Sequence, residues 1–359
     1  MDSHHPEKLR RWLELAVQGG ASDLHLIVGY PPVLRLHGDL IELTEPALTA
    51  EEAEPLFAAI CPPGAFERLE VQKNVDFSFA VPISGSTVRF RANLFHASRQ
   101  LGACFRVIPS EIPAFDWAGF PLELADRLAN LRDGLVVVTG PTGSGKTTTL
   151  AMIVHRLNRA GGYRIITVEE PVEYVFPKSA NSVVTQREVG VDVLTFADGL
   201  KSGLRQDPDA ILVGEIRDRE TAQMALSAAE TGHLVFTTLH TRDAKGAITR
   251  FADLFPQDVQ QHVRAQLALG LRAVVGQRLL PGTERGEKRQ LAIEVLWNTH
   301  PVASAIRQAK IESIDNCLQT GKAEGMVTFD ESVRQLMKSG RISKATAEQN
   351  VSDTGLLYR

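Results

Sequence analysis

The stretch "GLVVVTGPTGSGKTTTL", residues 134–150, constrains the fold more than any other part of the chain. An apolar, β-branched run ends at Gly140, and GxxxxGK[ST] follows as Gly140 to Thr147, opening a helix-compatible segment. Glycines at these places let backbone N–H groups turn inward around a polyphosphate, and the next helix presents its positive end to it. Lys146 supplies a point charge for the β- and γ-phosphates, and the Thr147 hydroxyl suits a Mg²⁺ ligand. The expected ATP-binding run is therefore Gly140, Pro141, Thr142, Gly143, Ser144, Gly145, Lys146, Thr147 and Thr148.

Such a strand–loop–helix sits in an α/β sheet, and the flanking sequence supplies one. "YRIITVEE", "AILVGEI" and "HLVFTTLH" are further short β-branched runs, each separated from the next by helix-length sequence. That spacing is the pattern of parallel strands joined by crossover helices. From about 256 onward the pattern is mostly helical, with one strand pair expected around "VVGQRLLPG" and "RQLAIEVLW". Residues 1–108 read differently. "PEKLRRWLELAVQGG" puts Leu9, Trp12, Leu13 and Ala16 at helical spacing. "SDLHLIVG", "PPVLRLHGDLIEL", "VDFSFAV", "STVRFRANLFHA" and "CFRVIP" read as strands. The proline-rich "PSEIPAFDWAGFP" at 109–121 is the expected linker, leaving 122–359 as the second domain. A length of 359 residues agrees with more than one domain.

Composition narrows the function. Lys and Arg number 39 against 43 Asp and Glu, a net charge of −4, so the broad basic surface of a nucleic-acid binder is not expected. Three scattered cysteines form neither a disulfide framework nor a zinc ribbon. No run approaches the roughly 20 apolar residues of a membrane span, and the charged start "MDSHHPEKLRRWLE" lacks a signal-peptide core. The expectation is a cytoplasmic protein that meets a membrane only through partners.

Hydrolysis needs more than a phosphate grip. In "DPDAILVGEIRD" an apolar strand ends at Gly214-Glu215, and in "IITVEEPVEYV" another opens on Glu169-Glu170-Pro171. Carboxylates at the carboxyl ends of parallel strands face the crevice where α/β sheets bind ligands. Glu215 is the expected Mg²⁺-side acid, acting through water; one of Glu169, Glu170 and Glu173 is expected to polarise the attacking water, with Glu169 the first candidate. Two histidines bracket "LVFTTL": His233 and His240. If that run is extended they lie roughly 23 Å apart, too far to share a metal. His240 shares the crevice with the two acids and suits a phosphate sensor. His233 lies at the other edge, where a structural and a functional histidine are equally expected.

Together these motifs resemble the secretion ATPase superfamily that powers type IV pili and type II and IV secretion. The likeness rests on "GASDLHLIVGYPPVLRLHGDL", "FRANLF" and "FRVIP" in the first half. In the second it rests on the phosphate loop, "ITVEEPVEYVF" and the long run from "QREVGVDVLTF" to "GHLVFTTLHT". The resemblance implies an N-terminal PAS-like α+β domain and a RecA-like P-loop ATPase domain with a helical C-terminal region, assembled as a homohexamer. It implies ATP and Mg²⁺ as cofactors, and partners in an inner-membrane pilus platform protein and a paralogous retraction ATPase. It assigns Glu169 as catalytic acid, Glu215 to the Walker B position, and both His233 and His240 to a nucleotide-sensing box. It also implies γ-phosphate contacts from arginines of the first domain, for which Arg91 and Arg106 are the candidates beside Arg89. Within the superfamily the retraction branch is the nearest likeness, and its accessory paralogue or an assembly motor is the alternative. Two departures stand out. Glu170 replaces the usual Asp, and "VASAIRQAKIESIDNCLQTGKAEGMVTFDESV" keeps only the Ile-Arg character of a retraction-linked helix.

Overall fold

The computed structural model describes residues 7–36, 38–109, 111–284 and 288–358. It divides into two compact units, Met1–Glu111 with Pro171–Val175, and Ile112–Glu170 with Phe176–Arg359.

In the first unit α1 (Glu7–Gln18) buries Leu9, Trp12, Leu13 and Ala16, the stripe its spacing predicts. Six strands form one antiparallel sheet: β1 (Asp23–Ile27), β2 (Val33–Leu36), β3 (Asp39–Glu42), β4 (Asn74–Ile83), β5 (Ser86–Ala97) and β6 (Gln100–Ile108), in the order β3-β2-β1-β6-β5-β4. The helices α2 (Ala50–Ala58) and α3 (Ala65–Gln72) lie between β3 and β4 in sequence. A capping box starts α2, with Thr49 Oγ1 accepting the Glu52 N–H and the Glu52 carboxylate accepting the Thr49 N–H. Strand alternation sends Leu24, Leu26, Phe90, Leu94 and Phe105 into one core with Trp12 and Phe57. The other face of the sheet carries His25, Arg91, Asn93, Cys104 and Arg106.

The second unit opens with α4 (Phe115–Ala118) and α5 (Leu122–Ala129) and is built on seven strands. These are β7 (Gly134–Thr139), β8 (Arg164–Glu169), β9 (Val183–Glu188), β10 (Ala210–Val213), β11 (Leu234–Leu239), β12 (Leu271–Leu280) and β13 (Gln290–Trp297). Their order is β13-β12-β7-β11-β10-β8-β9, parallel throughout except the β12–β13 pair. Every residue of β7, β10 and β11 is buried, which requires helices on both faces and explains their unbroken apolar runs. Those helices include α6 (Lys146–Ala160), α7 (Phe196–Gly203), α8 (Arg219–Glu230), α9 (Ala244–Asp253) and α10 (Gln260–Gly270). After β13 come α11 (His300–Arg307), α12 (Ser313–Thr320), α13 (Phe329–Lys338) and α14 (Lys344–Asn350). The expected strand pair near the C-terminal region forms as β12 and β13, and it extends the parallel sheet beside β7.

Candidate functional site

Because β7, β11, β10 and β8 are parallel neighbours, their carboxyl ends open on one edge of the sheet. That edge carries, in order, the 140–145 loop, His240, Glu215 and Glu169. The loop turns through glycines at positive φ: Gly140 at 153°, Gly143 at 76° and Gly145 at 87°. At Gly140 a Cβ would overlap the backbone oxygen of Gln277 on β12 and sit 2.6 Å from Ser144 Oγ. Only glycine lets the loop pass so close to β12. Lys146, the first residue of α6, is 7% exposed. Its Nζ donates to the carbonyl oxygens of Gly140 and Pro141 at 2.9 and 3.1 Å. Ser144 Oγ is buried without a hydrogen-bond partner. Thr147 and Thr148 follow on the first turn of α6, both half-buried. A tight glycine cradle, an orphaned hydroxyl and a buried lysine at a helix N-terminus suit a polyphosphate. Thr147 Oγ and the Glu215 carboxylate are hard oxygen donors of the kind Mg²⁺ takes.

The acids are held by different partners, neutral ones at Glu169 and basic ones at Glu215 and Glu170. Glu169 ends β8 at 5% exposure, and its Oε1 accepts from Thr167 Oγ1 at 2.6 Å and from Gln186 Nε2 at 3.2 Å. Hydrogen bonds Thr238 Oγ1→Gly214 O, 2.7 Å, and Ile216 N→Thr238 O, 3.1 Å, tie the segment after β10 to the end of β11. This brings Glu215 Oε2 within 3.2 Å of His240 Nε2, while Glu215 Oε1 meets Arg217 Nη2 at 2.6 Å. Arg217 also reaches Glu170 Oε2 at 3.1 Å, so the longer side chain of Glu170 has an ionic partner.

His233 is not part of this cluster. It precedes β11, at the opposite end of the strand, where Nδ1 lies 3.1 Å from Ala228 O and 3.2 Å from Thr231 Oγ1. There it satisfies carbonyl and hydroxyl groups at the C-terminus of α8. Arg91 and Arg106 belong to the first unit, as cross-strand neighbours on β5 and β6. Arg106 Nε pairs with buried Asp23 at 2.9 Å, and Arg91 Nη2 lies 3.6 Å from Asp76. Asp23, opposite Arg106 in register, offsets the repulsion of adjacent guanidinium groups.

Four participants escape motif reasoning. Arg217 bridges two carboxylates, and Gln186 holds Glu169 from β9. Thr139 Oγ1 exchanges hydrogen bonds with the backbone and hydroxyl of Thr241, joining the start of the phosphate loop to the turn after His240. Gln277 Nε2 donates to Thr149 Oγ1 on α6 at 2.7 Å. Of these only Arg217 has a sequence signal, its place two residues beyond Glu215 at a strand end.

A glycine loop and buried lysine at the edge of a parallel sheet, flanked by two strand-end glutamates and a histidine, define a P-loop protein. More narrowly, the chain belongs to the type II/IV secretion system protein family, whose profile matches residues 3–354. The type IV pilus retraction ATPase PilT of Pseudomonas aeruginosa is 41% identical over 337 residues, 94% of this chain and 96% of that protein. The type IV pilus ATPase PilU of the same organism is 35% identical over 336 residues, 94% of this chain and 86% of PilU. The crystal structure of the pilus retraction motor PilT with bound ADP superposes with a TM-score of 0.85 at 41% identity, covering 98% of each chain.

Proposed function

We propose that this chain is an ATP-hydrolysing motor that drives type IV pilus retraction, and so twitching motility. The observation that carries this reading is the sheet edge on which the phosphate loop, His240, Glu215 and Glu169 stand side by side. The similarity to a pilus retraction ATPase along nearly the whole chain supports the process it serves.

In this reading residues 140–148 grip the β- and γ-phosphates, with Lys146 exchanging its carbonyl partners for phosphate oxygens. Thr147 directly and Glu215 through water would hold Mg²⁺, whose positive charge would offset the negative charge developing on the phosphate oxygens. Glu169 orients water for in-line attack and draws its proton as the bond to the γ-phosphorus forms and the bond to ADP breaks. His240 reads the γ-phosphate and relays its presence to Glu215. His233 belongs to the same sensing element at its far end. Arg91 and Arg106 are the cations proposed for the γ-phosphate from the first domain.

Residues 1–108 form the PAS-like domain, 109–121 the linker and 122–359 the RecA-like ATPase domain with its helical C-terminal region. The working form is a cytoplasmic homohexamer, peripheral to the inner membrane through a pilus platform protein. Among the described residues no helix is long and apolar enough to cross a membrane. The second reading, an accessory motor beside a paralogous retraction ATPase, draws on the likeness to PilU and on the altered sequence "HPVASAIR" of α11.

The deciding experiment counts surface pili in cells whose only copy carries Glu169→Gln, beside a deletion strain. Piliation at or above the wild-type level with lost twitching supports retraction. Loss of pili would make the protein an assembly motor.

A further inference from the structure

The turn from His240 to Asp243 joins β11 to α9 and is held at several points. His240 meets Glu215, and Thr241 bonds Thr139. Asp243 caps α9 by accepting the Gly246 N–H at 2.6 Å. The next residue, Ala244, donates its N–H to Glu294 Oε1 at 2.8 Å. Glu294 lies on β13, distant in sequence, and is only 8% exposed. No motif accounts for an acid buried there.

Its neighbours show what it joins. Glu294 is the register partner of Gly276 on β12, and Gln277, the next residue, braces α6 and passes under Gly140. One hairpin thus supports the phosphate loop through Gln277 and the His240 turn through Glu294. The same hairpin rests on α13: Ser332 Oγ accepts the Ile293 N–H at 3.0 Å, and Arg278 stacks on Phe329 at 4.1 Å. From the other side, Lys245 on α9 pairs with Glu312 and with Asp315 on α12, both at 2.8 Å.

We propose that Glu294 is a positioning residue for hydrolysis: its carboxylate fixes the start of α9, and hence the His240 turn, against the β12–β13 hairpin and the C-terminal helices. This inference rests on the ATPase reading above. The chemistry favours the ionised acid, since a carboxylate at a helix N-terminus makes a charge-assisted bond that the protonated acid does not. Burial raises the Glu294 carboxyl to about 7; the Ala244 N–H and Arg278 oppose the rise, and Asp243 and Asp315 add to it. The bond therefore strengthens as pH rises through neutrality.

The test compares full-length wild type and Glu294→Gln in ATP turnover from pH 6 to 8, with affinity read by N-methylanthraniloyl-ADP. Wild-type turnover is expected to climb through about pH 7. Glu294→Gln is expected to bind the probe within about twofold of wild type, to turn over about tenfold more slowly at pH 8, and to lose the inflection. A purely structural role would lower affinity and turnover together and leave the inflection in place, and that result overturns the proposal. Wild-type turnover in the variant overturns it as well. Should Glu294→Gln not fold, Glu294→Asp keeps the charge but withdraws its oxygens from Ala244. Slower turnover with the inflection retained supports the proposal, and unchanged turnover overturns it. A wild-type protein with no ATP turnover would instead strike down the ATPase reading itself.

Discussion

Lys146 already donates to two carbonyl oxygens of its own loop, so its side chain is held where a phosphate would meet it. Replacing those partners with phosphate oxygens turns two bonds to neutral groups into bonds to anionic ones in a buried setting. Lys146→Ala should therefore weaken ATP binding by about 3 kcal/mol, or about a hundredfold, read by nucleotide titration. Unchanged affinity would show that the loop does not use this cation. Glu169 makes a different prediction because the role proposed for it concerns the attacking water and not the phosphate chain. Thr167 and Gln186 fix its Oε1, so Gln at this position keeps the shape and loses the charge that draws the proton. Glu169→Gln should bind nucleotide normally and hydrolyse it about 10²–10³ times more slowly. Steady-state phosphate release at the wild-type rate would move the role to Glu215 or Glu170.

Between residues and the whole chain, the phosphate loop is positioned by β12 as much as by β7. At Gly140 an added Cβ has Gln277 backbone to displace, whereas at Gly143 it points into open space. Gly143→Ala meets only the positive φ and should cost about 1 kcal/mol. Gly140→Ala adds the clash and should cost about 3 kcal/mol as well as nucleotide affinity. Denaturant unfolding of the two variants checks the order, and equal losses would mean that β12 yields freely. This dependence explains what could be read from the sequence and what could not. The runs of β7, β8, β10 and β11 are legible because burial on both faces demands unbroken β-branched residues. The stripe of α1 is legible because one buried face imposes a 3.6-residue period. β9 is not: as an edge strand, Val183–Glu188 is mostly half-exposed, and its polar "TQRE" carries no apolar alternation. The site follows the same division. Glu169, Glu215, His240 and the loop could be placed from strand ends alone. Gln186, Thr139 and Glu294 act through contacts that arise only when distant strands become neighbours.

Over the whole molecule, the second unit closes by setting its last strands and helices beside its first strand, and Glu294 pays for that closure. A carboxyl raised from 4.5 to about 7 prefers to be protonated in the folded chain. Below about pH 4.5 both folded and unfolded chains hold the proton, and the group adds no pH dependence to stability. Between about 4.5 and 7 the folded chain binds more protons than the unfolded one, so stability falls as pH rises. Above about 7 both states are ionised and the full cost, about 3 kcal/mol, is present. Glu294→Gln has no proton to lose. Its stability relative to wild type should therefore rise by up to about 3 kcal/mol between pH 4.5 and 7 and then level off, measured by denaturant unfolding across that range. A constant difference would mean that Glu294 ionises in the fold as easily as in water, with no penalty for its burial. The predicted slope has the opposite sense to the predicted turnover profile: the ionised acid that holds the His240 turn is the form that destabilises the fold. A variant that gains stability and loses turnover over the same pH window would tie both effects to this one carboxylate.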